Sequence, residues 1–130
     1  MECHCDGQKL VRKKLRAYVG GRIEMNSRGN TQWARITDGY SDIVDVPKEP
    51  GIHSVSWWNA VTDEEAVKRK IVTIKKVYDD PEMNTIFIES AELDDAGEYK
   101  TMNFNGDQSI ERLIFTVTLH NWGPWALEKK

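Results

Sequence analysis

Residues 112–120 read R-L-I-F-T-V-T-L-H, and their alternation limits what the chain can fold into. Leu113, Phe115, Val117 and Leu119 fall on one side, and Arg112, Ile114, Thr116, Thr118 and His120 on the other. A period of two over nine residues predicts a strand with one buried face. Shorter runs of similar character recur upstream: S-D-I-V-D-V-P at 41–47, I-H-S-V-S-W-W at 52–58, K-I-V-T-I-K-K-V-Y at 70–78 and T-I-F-I-E-S-A at 85–91. Turn-like stretches such as N-S-R-G-N and D-D-P-E-M-N separate them. The segment from Tyr18 through Ile36 predicts a hairpin or a meandering first strand. About seven short strands, with no convincing long helix, predict an all-β antiparallel sandwich or barrel. T-D-E-E-A at 62–66 resembles a capped helical turn too short to hold alone.

Length and composition narrow the class. The 130 residues suit one domain. With 39% apolar and 30% charged residues, the chain can build a core and stay soluble. A net charge of −3 gives no global pull toward nucleic acid or anionic membrane. No apolar run approaches the ~18 residues of a membrane span. The start, M-E-C-H-C-D-G, lacks the pattern of a secretory signal.

The two cysteines, Cys3 and Cys5, flank His4 near the start, with no further ligand at zinc-finger spacing. They read as free thiols, and no metal or other cofactor is expected. No cysteine lies in the body, so no disulfide is expected to staple the core. No Asn-x-Ser/Thr sequon occurs. Both absences favour a cytoplasmic setting, with the cell surface or exterior as the alternative.

L-D-D-A-G-E-Y at 93–99 follows the 85–91 run. In a sandwich, a tyrosine entering a strand can bond its hydroxyl back to upstream backbone and fix a crossover between sheets. A glycine two residues earlier permits the tight bend. An aspartate two residues before that can accept a charge-assisted hydrogen bond, for which Lys70 or Arg69 is the expected donor. These residues are Asp95, Gly97 and Tyr99.

The pattern Ile86-x-Ile88-x-x-Ala91-x-x-x-Asp95-x-Gly97-x-Tyr99 resembles the E–F corner of immunoglobulin-like domains, particularly the intermediate set. The resemblance extends over residues 35–120 and implies an immunoglobulin-like sandwich of 7–9 strands. It places Trp57 as the core tryptophan on strand C, Val46 at the first cysteine position on strand B, and Thr101 at the second. D-V-P at 45–47 is weakly similar to cysteine-free domains of titin and myosin-binding muscle proteins. Val46 and Thr101 leave the usual B–F disulfide absent, a loss that commonly costs ~2–5 kcal/mol. A rival register makes Trp33 the core tryptophan with Met25 at the first cysteine site, and gives the rest a variable-type length. The expected organisation is a basic N-terminal arm over 1–16, a domain over 17–121 and a tail over 122–130 that carries Trp122 and Trp125.

Catalysis has little to stand on. His4, His53 and His120 are scattered and match no triad or metal motif. Asp94 and Asp95 read as corner residues rather than paired acids. Gly20-Gly21 lacks phosphate-loop spacing. The chain is therefore expected to be no enzyme. Two basic clusters exist: Lys9, Arg12, Lys13, Lys14 and Arg16, then Lys68, Arg69, Lys70, Lys75 and Lys76. They read mainly as solvated faces or edge guards, with nucleic acid or an acidic surface as an outside alternative.

Protein binding is the favoured function. With Trp57 inward, Trp58 turns outward and shares a face with Ser56, Lys100, Met102, Ile114 and Thr116. Exposed tryptophan, methionine and isoleucine together suit an interface centre. The resemblance implies a docking or spacer domain of an intracellular cytoskeletal or sarcomeric protein. The alternative is an adhesion or immune-receptor-like ectodomain, viral ones included. The partner is expected to be a protein ligand or a neighbouring domain.

Overall fold

The computed structural model describes residues 9–37, 40–57, 71–104 and 111–121. Among these residues nine strands form two sheets. In chain order they are β1 (Leu10–Tyr18), β2 (Ile23–Arg28), β3 (Asn30–Thr37), β4 (Tyr40–Asp45), β5 (Gly51–Ser56), β6 (Ile71–Val77), β7 (Asp80–Ile88), β8 (Gly97–Phe104) and β9 (Arg112–His120). The first sheet runs β1-β9-β8-β3-β4 and the second β2-β7-β6-β5. All pairings are antiparallel except β1 with β9, which are parallel over Leu10–Tyr18 against Arg112–His120. This is an immunoglobulin-like β-sandwich.

The core forms where the inward positions of the two layers meet. Ile23 and Met25 from β2, Val72 and Ile74 from β6, and Ile86 and Ile88 from β7 face Trp33, Val44, Tyr99, Leu113, Phe115 and Val117. At about 25 cal/mol per Å2 of apolar surface, this burial is the main driving force for closing the sandwich. Phe87 alternates to the outer face of its sheet, yet is buried there because the Arg22 guanidinium lies 3.9 Å from its ring centroid.

Several expectations need correction. β2 and β3 do not form a hairpin, for they belong to different sheets. Gly29, at φ +79°, takes the chain across between them, a conformation that glycine tolerates. The rival register is the one adopted. Trp33 sits fully buried on β3, which pairs with β8 and places Trp33 opposite Thr101, and Met25 is fully buried on β2. Trp57 is not on that strand: it follows β5. Val46 is not on β2 either. It lies just after β4, half-buried, its N–H bonded to the Thr31 carbonyl. Residues 10–16 of the expected arm are part of β1, because the parallel pairing with β9 satisfies their backbone and Val11, Leu15 and Ala17 pack on the core. The D-D-P-E-M-N turn is shorter than expected, since β7 begins at Asp80.

Two polar groups are built into the interior. The Trp33 indole N–H donates to Asn84 Oδ1 at 2.9 Å, and Asn84 Nδ2 donates to Asn30 Oδ1 at 2.9 Å. Asn84 lies on β7 and Trp33 on β3, so this bond ties one sheet to the other. Nearby, Arg35 of β3 clamps Asp42 of β4 with two bonds, Nε to Oδ1 at 2.8 Å and Nη2 to Oδ2 at 2.6 Å. Both side chains are at least 96% buried. The Arg35 guanidinium also sits 5.0 Å from the Trp57 ring centroid, and Trp57 lies 5.8 Å from Tyr99. Both tryptophans are thus core residues, one against Phe115 and Asn84, the other under the buried ion pair.

Candidate protein-binding face

The crossover from β7 to β8 sets the position of everything on β8. A short 3-10 turn, Leu93–Asp95, carries the chain over. Tyr99, fully buried, donates its hydroxyl proton to the Asp95 carbonyl at 2.6 Å. The buried Asp95 carboxylate accepts the Glu92 backbone N–H at 2.7 Å. Lys70 and Arg69, the donors expected for it, lie outside the described residues. The upstream end is tied by Gly20 N–H to the Ala91 carbonyl and Ala91 N–H to the Gly21 carbonyl, both at 2.8 Å.

Burial pushes the Tyr99 hydroxyl well above the ordinary tyrosine range, and the nearby Asp95 charge adds to it. A phenol that stays protonated remains a donor. Because the folded state holds this proton more tightly, the contribution is complete below the usual tyrosine pKa and fades as pH climbs beyond it. Tyr99→Phe is expected to lower stability by ~1 kcal/mol or more, as for a lost buried hydrogen bond. Urea denaturation checks this, and a midpoint equal to wild type would deny the bond any role at the corner.

With Tyr99 and Thr101 inward, β8 turns Glu98, Lys100 and Met102 out. β9 likewise turns out Ile114 and Thr116. The register aligns these with their neighbours. Arg12, Ile114, Lys100, Ala34 and Ile43 form one row across all five strands. Lys14, Thr116, Glu98, Ile36 and Ser41 form the next. Met102 lies beside Gln32, which lies beside Asp45. Gln32 is held by donating to Asp45 Oδ1 at 2.8 Å and accepting from Asn103 Nδ2.

Of the residues singled out from sequence, Lys100, Met102, Ile114 and Thr116 stand together here, all half-buried. Ser56 ends β5 in the opposite sheet, and Trp58 lies outside the described residues. Ala34, Ile36 and Ile43 were missed. Ile36 is 43% exposed, whereas Ala34 is buried on this outer face between Lys100 and Ile43, making a shallow floor. Placing Trp33 inward would have revealed them, since its neighbours at alternate positions then point out.

Among the described residues, no group of three or more His, Cys, Asp or Glu is placed to hold a metal. His53 bonds the Glu49 carbonyl from the second sheet, while His120 accepts from Arg16 Nε at 3.1 Å. A polar cleft of about 600 Å3, bordered by Asn30, Gln32, Asp45, Lys48, Lys76 and Glu82, opens at one end of the sandwich. No described helix is long and apolar enough to cross a membrane.

Solved structures place the fold in context. The second immunoglobulin domain of mouse polymeric immunoglobulin receptor matches with a TM-score of 0.55 and 11% identity, over 87% of this chain and 100% of that one. The extracellular fragment of novel immune-type receptor 11 from Ictalurus punctatus gives 0.53 at 15% identity, over 92% of this chain and 95% of that one. A chicken TCR gives 0.53 at 14%, over 87% of this chain and 56% of its own. No protein-family model matches the sequence, and no curated protein matches it. At these identities the likeness is one of fold.

Proposed function

We propose that this immunoglobulin-like domain is a non-catalytic protein-interaction module, and that the outer face of its five-stranded sheet is the docking surface. The observation that carries this is the row from Arg12 to Ile43, in which Ile114 stands between Arg12 and Lys100, and Ala34 and Ile43 continue beyond Lys100. Methionine and arginine, here Met102 and Arg12, are enriched at protein interfaces. Ile36 and Met102 widen the apolar part.

We favour a receptor-like setting over a sarcomeric one. The muscle-type resemblance leaned on Val46 in strand B, and Val46 lies outside β2. The similar solved chains include an extracellular receptor fragment. Surface staining of the tagged protein on intact cells supports the ectodomain reading. Staining confined to the cytoplasm supports an intracellular docking domain.

The face is tested by substitution. Ile114→Asp combined with Lys100→Glu is expected to weaken a partner at least thirtyfold, the scale of a lost hot spot of ~2 kcal/mol. Ser54→Asp, on the exposed side of β5, is expected to leave binding unchanged. Affinity capture from cells of the native source, quantified for the three proteins in parallel, makes the comparison. Equal recovery by wild type and the double variant would remove the face from the interaction.

A further inference from the structure

β1 forms one border of the five-stranded sheet and pairs with β9 alone among the described strands. Its outward positions are Leu10, Arg12, Lys14, Arg16 and Tyr18, so three cations stand at alternate residues. Lys9 is exposed just before it. Lys13 points the other way, its amine 5.9 Å from the Phe115 ring centroid. The chain carries a net charge of −3, yet among the described residues no carboxylate pairs with Lys9, Arg12 or Lys14, and the ion pairs seen there join Arg22 to Glu89, Arg28 to Asp80 and Arg35 to Asp42. Arg16 is turned toward His120 by its hydrogen bond.

Cations on an edge strand ordinarily discourage a second strand from adding. That discouragement is selective. A strand of like charge, including β1 of another copy, meets repulsion, whereas a strand with carboxylates at alternate positions meets neutralisation. Side chains on one side of a strand repeat every ~6.6–6.8 Å on both chains, so each carboxylate can meet one cation in register.

We propose that the β1 edge binds an extended acidic segment of a partner protein by strand addition, with Arg12, Lys14 and Arg16 selecting alternate carboxylates. The backbone edge supplies affinity and the cations supply choice. Level with the three cations, the next strand presents the uncharged Ile114, Thr116 and Thr118, and its outward Arg112 stands beside Leu10 at the end of the stripe. A duplex would need a broader positive field. No aromatic side chain stands between Arg12 and Arg16 to stack bases of a single strand. This inference goes beyond the flat-face reading: it sets a partner strand beside β1 in the plane of the sheet, and shares Arg12 with the row that carries that reading.

The test uses the 130-residue chain and a fluorescent peptide alternating threonine and glutamate, as long as the nine-residue β1. Anisotropy is expected to show saturable binding that weakens at least tenfold between about 50 and 300 mM NaCl, as screening of exposed charges requires. Arg12→Glu, Lys14→Glu and Arg16→Glu together are expected to abolish binding. The corresponding triple glutamine variant is expected to weaken it about tenfold with an unchanged melting temperature, because all three side chains are exposed. Methylating alternate peptide amides is expected to weaken binding at least fivefold. Each of four results overturns the proposal: no binding of the peptide, wild-type affinity in the glutamine variant, full affinity of the methylated peptide, or tighter binding of an oligothymidylate of equal charge.

Discussion

Asp42→Ala is expected to destabilise the domain by ~3–5 kcal/mol, the cost of leaving a buried charge without its partner. Arg35 would stay in an interior position beside Trp57 and Tyr99, where water cannot replace the two bonds that Asp42 makes. The pair itself is a different matter. Two charges taken from water cost several kcal/mol each to desolvate, and their attraction only offsets this. Replacing both together, Arg35→Met with Asp42→Leu, is therefore expected to recover most of the loss. Chemical denaturation of the three variants separates the cases. A single variant within ~1 kcal/mol of wild type would mean that the pair is hydrated in solution.

The second large effect lies at Gly97. Its φ is +147°, and a β-carbon added there would stand 2.4 Å from the Ile36 carbonyl oxygen and 2.7 Å from Thr37 Cα. These are backbone atoms of the paired strand, so no side-chain rotation relieves the overlap. Gly97→Ala must push β8 away from β3 or change the backbone angle, and the expected cost is ~3 kcal/mol or more. The same substitution at Gly20 meets no atom within 4 Å and carries only the strain of φ +85°. Thermal melts should rank Gly97→Ala well below Gly20→Ala. The reverse order would mean that β3 and β8 separate at that end without penalty.

These two sites also explain what could be read from the sequence. The corner and the last strand were legible because local chemistry agrees with the tertiary role. Leu113, Phe115 and Val117 alternate, and Gly97 and Tyr99 sit where a crossover needs them. The middle of the chain was misread because charge lies inside. On β3 and β4 the inward residues include Arg35 and Asp42, while Ala34, Ile36 and Ile43 point out. A buried ion pair inverts the apolar pattern over that stretch, so hydrophobicity indicates the wrong side. β2 offers little more, since its third inward residue is Ser27. Trp33 and Trp57 are both fully buried, so burial alone could not choose between them. The proposed docking face depended on that choice, and the sequence pointed only to its β8 and β9 part. Trp58, the residue on which the sequence reading of the face centred, lies outside the described residues.

The parallel pairing of β1 and β9 sets how the domain meets tension. If both strands are pulled through the chain leading into β1 and out of β9, the load runs along the two strands in opposite directions. Their hydrogen bonds are then strained as a set, in shear, instead of opening one after another like a zip. A tethered domain of this build should hold under stretching better than its modest size suggests, until the seam from Leu10 to Tyr18 breaks in one step.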